Sequence, residues 1–318
     1  MAEICQLSTV NCQLFLTFAP MTAKNNRTLR LEAGEREDLM PLVDGRSLIH
    51  GDILDVLPTL PDGFAKLIIV DPPYNLSRNF GGNKFTTLSS EEYEEYLRGW
   101  FHPLCDKLAP NGTLYMCGDW RCSSSMQRVI EERLTILNRI TWQREKGRGA
   151  AQNWKNSMED IWFAVKNPKD YVFNLEAVKQ RRRVLAPYRQ DGQPKDWEET
   201  SDGRFRTTCP SNFWDDISVP FWSMPENTDH PTQKPEKLIA KLILASSKEG
   251  DIVFDPFLGS GTTAVVAKKL HRNYCGVELN LDYCLLAAKR LLLADQDRSI
   301  QGYADGVFWE RNSSLSAK

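Results

Sequence analysis

The chain has 318 residues, which is long enough for one large α/β domain with an insertion or for two small domains. Its formal net charge of −2 at pH 7 is nearly balanced, so any nucleic-acid-binding surface has to be local rather than global. The eight cysteines form no C-x-x-C pair and no zinc spacing, and no apolar run approaches the roughly 20 residues of a membrane helix, which argues against a disulfide scaffold, a metal site and a membrane protein.

Residues 1–30 are expected to form a flexible tail ahead of a main domain at residues 31–318. Residues 14–20 are apolar like the core of a signal peptide, but no positive charge precedes them and Glu3 is acidic. Scattered cysteines fit free thiols in a reducing compartment. We therefore expect a cytoplasmic bacterial protein rather than a secreted one.

The first block of the main domain alternates strand and helix patterns. Two consecutive prolines follow its most apolar strand and end it, because proline lacks an N–H group and fixes φ. The predicted elements are a strand at 48–52, a short helical piece at 53–57, a buried parallel strand at 67–70, a loop at 75–84, a helix at 90–108 that starts at Ser90, and strands at 113–117, 136–142 and 161–165.

The turn after strand 67–70 is the first candidate site. Open α/β sheets place their ligand crevice at this end of the strands. The turn offers a carboxylate, carbonyl groups without local partners and a flat aromatic ring, which suit a planar base held by its exocyclic amino group. An ordinary proline-rich turn is the alternative. The candidate catalytic residues are Asp71, Pro72, Pro73 and Tyr74.

The second block begins at His230 and repeats the alternation. It predicts a helix with an apolar face at 238–245 that Gly250 ends, a strand at 251–255, a helix at 262–270, a strand at 274–278 and a helix at 283–293. Both blocks together predict a doubly wound, mostly parallel sheet. Residues 144–229 are polar, rich in Trp, Arg and Pro, and predicted to form an insertion on the rim of the sheet.

A glycine loop joins strand and helix at residues 255–263, and Glu278 ends the next strand 23 residues after Asp255. A dinucleotide, a phosphate and S-adenosylmethionine (AdoMet) are the alternative ligands for such a loop. A phosphate loop would need a lysine that is absent here. Asp255 would repel a pyrophosphate but can receive the ammonium of a methionine moiety, which favours AdoMet. A purely structural glycine turn remains the alternative.

Three motifs in this order resemble those of the β-class bacterial DNA amino-methyltransferases: Asp71-Pro72-Pro73-Tyr74, His230-Pro231-Thr232-Gln233-Lys234-Pro235 and Asp255-Pro256-Phe257-x-Gly259-x-Gly261-Thr262. The resemblance implies a permuted Rossmann-like sheet of the class I AdoMet methyltransferases. It also implies AdoMet as methyl donor and the amino nitrogen of a flipped-out base in double-stranded DNA as acceptor. Asp at the first motif position usually accompanies adenine N6 in this family, whereas Ser is commoner for cytosine N4.

The resemblance also implies which residues contact the cofactor. Asp52 would meet its adenine, Glu278 its ribose, and Thr232 and Lys234 would lie near its methionine carboxylate or the adjoining helix. Helix capping or a surface charge is the alternative for Asp52, Thr232 and Lys234. The remaining cofactor residues implied are Asp71, Asp255, Phe257, Gly259, Ser260, Gly261 and Thr262. The whole interpretation requires the proline turn and the glycine loop to open on one pocket.

Residues 139–183 carry eleven Lys and Arg against five Asp and Glu, interleaved with tryptophans. Such a segment can contact phosphates, although a solvated charged face is the alternative. Its position between the motifs, where this family carries target recognition, favours DNA. The candidate DNA-binding residues are Arg144, Lys146, Arg148, Arg181, Arg182 and Arg183.

Three rival functions remain open. A cytosine-N4 methyltransferase would use the same scaffold, and a DNA-binding protein without catalysis would retain the basic segment. A nicotinamide oxidoreductase would need a hydride-transfer site beside the glycine loop, and no candidate is evident. A functionally paired restriction endonuclease and a homodimer are the partner predictions that the family resemblance adds.

Overall fold

The computed structural model describes residues 27–43, 47–80, 83–144, 151–185, 188–201 and 203–310. Residues 1–26 of the predicted tail lie outside this set. Leu29 forms a parallel bridge with Thr228, so the chain is already part of the fold at that point. Among the described helices, none has the length and apolar character needed to cross a membrane.

Helices and strands alternate through both predicted blocks. The helices are α1 (Glu35–Leu39), α2 (Ile53–Val56), α3 (Ser90–Lys107), α4 (Ser123–Glu131), α5 (Glu236–Ser246), α6 (Thr262–Lys269) and α7 (Leu281–Gln296). The strands are β1 (Leu48–His50), β2 (Ala65–Val70), β3 (Arg78–Phe80), β4 (Asn83–Phe85), β5 (Leu108–Gly118), β6 (Thr135–Gln143), β7 (Met158–Val165), β8 (Gln180–Arg183), β9 (Arg189–Gln190), β10 (Gln193–Pro194), β11 (Glu198–Thr200), β12 (Gly203–Thr208), β13 (Phe213–Trp214), β14 (Ile252–Asp255), β15 (Asn273–Glu278), β16 (Tyr303–Ala304) and β17 (Val307–Trp309).

The central sheet has the spatial order β1-β15-β14-β2-β5-β7-β6-β13. Its first five strands are parallel, whereas β7 is antiparallel to both of its neighbours. Its middle strands β2 and β14 are apolar and almost entirely buried, as expected when both faces of a sheet are covered. The strands β7 and β13 both belong to this sheet and lie in the range 144–229, so only parts of that range lie apart from it.

Successive side chains of β2 enter different cores. Ile68 and Val70 pack with residues of α3 such as Leu97 and Phe101, on one face of the sheet. Leu67 and Ile69 belong to the core on the other face, with residues of α5. Full burial of such a side chain contributes about 1.5–3 kcal/mol, so a shift of β2 by one residue would be costly. This register determines where the turn after Val70 leaves the sheet.

Two predicted helix ends were placed wrongly by a few residues. Ser89, not Ser90, caps α3, because its hydroxyl accepts from the Glu92 N–H while the Glu92 carboxylate accepts from the Ser89 N–H. The helix α5 ends at Ser246, and Gly250 lies in the following turn with φ +82°. The helix α4 was not predicted.

A second sheet with the order β11-β12-β8-β17-β16 lies within and after the polar segment. The C-terminal strand β17 pairs with β8, so residues some 130 positions apart close this sheet. The guanidinium of Arg181 lies 5.1 Å from the Phe205 ring centroid and 5.3 Å from that of Trp309. Cation–π contacts of this kind stabilise the sheet by about 0.5–2 kcal/mol each.

Gly261, at the start of α6, is a position where a larger residue is expected to destabilise the fold. It has φ +83°, and a Cβ added there would lie 2.5 Å from the Cβ of Ala287 on α7. Gly261→Ala is expected to lower the free energy of unfolding by about 2–4 kcal/mol, from backbone strain plus overpacking. Gly306→Ala is the matched control, since its φ is +75° with open space around it, and about 1 kcal/mol is expected. Equal losses of unfolding free energy in Gly261→Ala and Gly306→Ala, measured by urea denaturation, would contradict the expected clash with Ala287.

Candidate active site

The parallel strands β1, β2, β14 and β15 end at one edge of the sheet, and the predicted site residues collect there. Asp71 follows β2, Asp255 ends β14 and Glu278 ends β15. A cavity of about 830 Å³ opens at this edge. The proline turn from Asp71 to Tyr74 and the loop residues Phe257 and Gly259 both line it. The two motifs therefore share one pocket, as the sequence-based interpretation requires.

The Asp71 carboxylate is held by two donors on different oxygens. The Tyr74 hydroxyl donates to Oδ1 at 2.8 Å, and the Lys234 ammonium donates to Oδ2 at 2.5 Å. Burial, followed by the Asp71 charge, raises the pKa of Tyr74 well above its usual value, so the hydroxyl stays protonated as a donor. The side chain of Asp71 thus has a defined orientation toward the cavity.

The two proline carbonyls of the turn differ. The Tyr93 hydroxyl donates to the Pro73 carbonyl at 3.0 Å. Among the described residues, no donor contacts the Pro72 carbonyl, and Pro72 lines the cavity. An acceptor without a protein partner at a cavity wall is available to a ligand N–H group. Asp71 and Pro72 therefore present two acceptors side by side.

Lys234, predicted to lie near the cofactor carboxylate or the adjoining helix, lines the cavity beside Asp71. Its ammonium contacts the Tyr74 hydroxyl at 3.2 Å and the Glu159 carboxylate at 3.4 Å, in addition to Asp71. Burial by itself would lower the pKa of Lys234, but the charges of Asp71 and Glu159 outweigh it and raise the pKa. Two carboxylates thus hold this cation on the Asp71 side of the cavity.

Glu278 lies where an acid for ribose hydroxyls was predicted. Its Oε2 accepts from the Gly259 N–H at 2.8 Å and its Oε1 from the Asn280 N–H at 2.8 Å. Burial raises its pKa despite these bonds. Each carboxylate oxygen retains a further lone pair, so Glu278 can hold the glycine loop and a ligand hydroxyl together.

Asp255, a predicted cofactor residue, is hydrogen-bonded within the glycine loop. Its oxygens accept from the Thr263 hydroxyl at 2.6 Å and the Phe257 N–H at 3.0 Å, and it is absent from the lining. Burial raises its pKa to about 7. Gly261 and Thr262 also lie behind the wall, where Gly261 meets α7 and Thr262 accepts from Arg290 at 3.0 Å.

The amides of the glycine loop are mostly used inside the protein. The N–H of Leu258 donates to Val277, that of Gly259 to Glu278 and that of Gly261 to Leu258. A phosphate cradle would need such groups free and aimed at the ligand. The loop is therefore poorly suited to a phosphate or a pyrophosphate, two of the alternatives left open by the sequence.

The other predicted cofactor residues, Asp52, Phe257, Thr232 and Ser260, line the cavity. Asp52 caps α2 by accepting from the Leu54 N–H at 2.9 Å and also lines the cavity. Phe257 lines the wall with its ring 5.0 Å from that of Trp100, in an edge-on arrangement. Thr232 and Ser260 are lining residues as well.

Several cavity residues were not predicted. They are Tyr96, Trp100, Asp119, Trp120, Arg121, Asn156, Glu159, His230 and Tyr283. Asp119 could have been found, since it follows β5 at the same edge where the other strands end. Glu159 carried no comparable signal, because it lies inside the strand β7. Trp120 is 54% exposed and has the Arg121 guanidinium 5.4 Å from its ring.

His230 is predicted to make stability depend on pH below neutrality. Burial lowers its pKa to about 4 from the usual 6.5. The unfolded chain binds the proton near pH 6.5 and the folded chain only near pH 4. The stability that the neutral, buried His230 contributes is therefore fully present above pH 6.5 and is lost as the pH falls to 4. The free energy of unfolding of the wild type, minus that of His230→Gln, is expected to fall by about 2 kcal/mol between pH 7 and pH 4.5. A pH-independent difference in urea denaturation would contradict it.

The described members of the predicted DNA-binding set lie at two different elements, with Arg144 directly after β6 and Arg181, Arg182 and Arg183 in β8. Arg144 lines the cavity and pairs with Glu159, whereas Lys146 and Arg148 lie outside the described residues. Arg181 is 21% exposed and paired with Glu198 at 2.6 Å, and Arg182 lies 3.9 Å from Asp215. Internal ion pairs and ring contacts of β8 thus occupy Arg181 and Arg182, and Arg183 lies over Phe205, which disfavours the phosphate contacts predicted for this run.

The sequence model of the family described as DNA methylase matches residues 65–289. The type II methyltransferase M.HpaI of Haemophilus parainfluenzae is 34% identical over 246 residues, which are 77% of this chain and 73% of that protein. The DNA adenine methyltransferase YhdJ of Escherichia coli K12 is 34% identical over 262 residues, 79% of this chain and 84% of that protein.

Solved structures share the fold. The M1.HpyAVI–SAM complex superposes with a TM-score of 0.53 at 24% identity, covering 77% of this chain and 98% of that one. The cytosine-N4-specific PvuII DNA methyltransferase superposes with a TM-score of 0.55 at 18% identity, covering 76% and 84%. The predicted Rossmann-like methyltransferase fold is confirmed.

Proposed function

Because this chain belongs to the DNA methylase family, as its three motifs predicted, we propose that it transfers a methyl group from AdoMet to N6 of an adenine rotated out of double-stranded DNA. The observation that carries the proposal is that the Asp71 turn and the Gly259–Glu278 loop open on the same cavity. A donor at the loop and an acceptor at the turn then meet without leaving the protein.

The charge of the cavity fits AdoMet. Among the residues that the structure describes, five carboxylates line it, against three cations. The acids are Asp52, Asp71, Asp119, Glu159 and Glu278, and the cations are Arg121, Arg144 and Lys234. This excess of negative charge suits a cationic sulfonium and disfavours a pyrophosphate. When bound, AdoMet supplies an activated methyl group, and Glu278 and Phe257 are the residues that hold its ribose and the adjoining apolar part.

Asp71 and Pro72 activate the acceptor. The lone pair of an exocyclic amino nitrogen is delocalised into the ring, which makes it a poor nucleophile. Hydrogen bonds from its two N–H groups to the Asp71 carboxylate and the Pro72 carbonyl favour a more tetrahedral nitrogen with its lone pair toward the methyl carbon. Alignment and preorganised charge then supply most of the rate.

Tyr74 supports the extruded base beside this pair. Rotation of a nucleotide out of the duplex costs a few kcal/mol, and stacking on an aromatic ring returns about 1–3 kcal/mol. The bond from its hydroxyl to Asp71 sets the position of the Tyr74 ring at the cavity wall. Trp120 and Arg121, at the same cavity, are the residues we assign to the DNA side of its entrance, together with Arg144.

The target base is the first thing to test. Expression in a host without DNA methylation, followed by single-nucleotide mapping of modified bases, is expected to show N6-methyladenine within one short recognition sequence. N4-methylcytosine would instead establish the rival acceptor on the same scaffold. AdoMet binding in calorimetry without any modified base would indicate a DNA-binding protein that lacks catalysis.

Four further proposals rest on the family resemblance. The protein acts in the bacterial cytosol, where its substrate lies, and it is functionally paired with a restriction endonuclease. Loss of methylation should then expose the host DNA to cleavage. It forms a homodimer, which light scattering at micromolar concentration would detect as twice the chain mass. Residues 144–229 contain the target-recognition region.

A further inference from the structure

Lys234 touches three oxygens of the acceptor side of the cavity, and no cofactor role explains this. Its ammonium lies 2.5 Å from Asp71, 3.2 Å from the Tyr74 hydroxyl and 3.4 Å from Glu159. The side chain is only 9% exposed. We propose that Lys234 is a positioning residue of methyl transfer, whose ammonium, shared between Asp71 and Glu159, keeps Asp71 charged and oriented to accept the target amino group. The inference rests on the proposed function and adds a residue to its acceptor side.

Two donors fix the orientation of the Asp71 carboxylate. A carboxylate with donors on both oxygens cannot rotate about its Cβ–Cγ bond without losing one of them. Tyr74 holds Oδ1 and Lys234 holds Oδ2. Each oxygen keeps a lone pair for an amino N–H group, so the two donors do not compete with the substrate.

Lys234 also compensates the negative charge around Asp71. Titratable groups from several elements interact with the Asp71 charge: Tyr74 from its own turn, Tyr93 from α3, Cys117 from β5, His230 and Lys234 from the segment before α5, and Asp255 from β14. Glu159 from β7 contacts the same Lys234 ammonium as Asp71 does. Of these, Lys234 is the cation that contacts Asp71. Without it, Asp71 would face the buried Glu159 uncompensated, and two nearby carboxylates in an apolar environment resist simultaneous ionisation.

Glu159 completes the arrangement. It is 3% exposed, its Oε1 is paired with Arg144, and its Oε2 has no hydrogen-bond partner among the described residues. Burying a carboxylate oxygen without a hydrogen-bond partner is costly unless a positive charge lies near. The Lys234 ammonium supplies that charge. Glu159 therefore holds Lys234 in place, and the Lys234 charge in turn compensates the effect of Glu159 on Asp71.

The test compares three variants in steady-state methylation of DNA between pH 5.5 and pH 9. Lys234→Met removes the charge at similar volume and is expected to lower kcat at pH 7 about 30-fold, with the Kd of AdoMet within about threefold of the wild type. The pH at which kcat falls on the acidic side should rise by about one unit or more. Lys234→Arg keeps the charge and should leave that pH within about half a unit.

The double variant Lys234→Met/Glu159→Gln separates a role in catalysis from a role in folding. It leaves no carboxylate at position 159, so its kcat should be about tenfold higher than that of Lys234→Met. It also serves if the single variant fails to fold. Lys289→Met is the matched control, because Lys289 is a buried lysine paired with Glu35 away from the cavity, and its pH profile should equal that of the wild type.

Two results would overturn the inference while the proposed function stands. An unchanged kcat and pH profile in Lys234→Met would remove Lys234 from the acceptor side. A Kd for AdoMet weakened more than about tenfold with kcat retained would instead place Lys234 on the cofactor, as the sequence suggested. A wild-type protein that methylates no DNA would refute the proposed function itself.

Discussion

Asp71→Asn is expected to abolish methyl transfer, with kcat lowered about 10³-fold or more. The substitution preserves shape but removes the charge that Tyr74 and Lys234 hold at 2.8 and 2.5 Å, and it turns one acceptor into a donor. The target N–H group then loses its partner when its nitrogen must become more tetrahedral. The Kd of AdoMet should stay within about threefold, since Glu278 and the glycine loop are untouched.

Single-turnover methylation of DNA and calorimetry with AdoMet measure the two quantities separately. Asp71→Ala should behave like Asp71→Asn. Asp62→Asn is the control, because Asp62 is also an acid paired with a lysine, Lys107 at 2.7 Å, but does not line the cavity. Turnover of Asp71→Asn within tenfold of the wild type would remove Asp71 from the mechanism.

Glu278→Ala is expected to have the opposite signature, with the Kd of AdoMet raised about 100-fold, or roughly 2.7 kcal/mol of binding free energy. Its carboxylate accepts from Gly259 and Asn280, so its removal loses both a ribose acceptor and the anchor of the loop. Hydrogen bonds to a charged group contribute about 1.5–3 kcal/mol each, which accounts for the magnitude. At saturating AdoMet, kcat should remain within about threefold.

Calorimetry with AdoMet measures this Kd, and Asp282→Asn is the matched control. Asp282 is an exposed acid in the first turn of α7, paired with Arg36 outside the cavity. Glu278→Gln retains an acceptor and should weaken binding by only about tenfold. An unchanged Kd in Glu278→Ala would show that the ribose is held elsewhere and would move the cofactor away from the end of β15.

Local patterns predicted the elements around the site well because each carries its own signal. An apolar run ended by two prolines can only be a buried strand followed by a turn, and β2 and Asp71 are found there. The glycine loop between β14 and α6 requires left-handed backbone at Gly259 and Gly261, which have φ +55° and +83°. The strands of the second sheet were missed because they are only two to six residues long, too short for a period to distinguish them from loops.

The sequence by itself determined the family, the order of the strands and helices around the site, and the meeting of the proline turn with the glycine loop, since parallel strands end at one edge of a sheet. Only the tertiary structure decided what the polar side chains do there. Lys234 turned to Asp71 and Glu159, and Asp255 turned inward to Thr263. A side chain's partner depends on which charges burial brings within a few ångströms, and residues 71, 159 and 234 come from three distant parts of the chain, whose proximity no local pattern records.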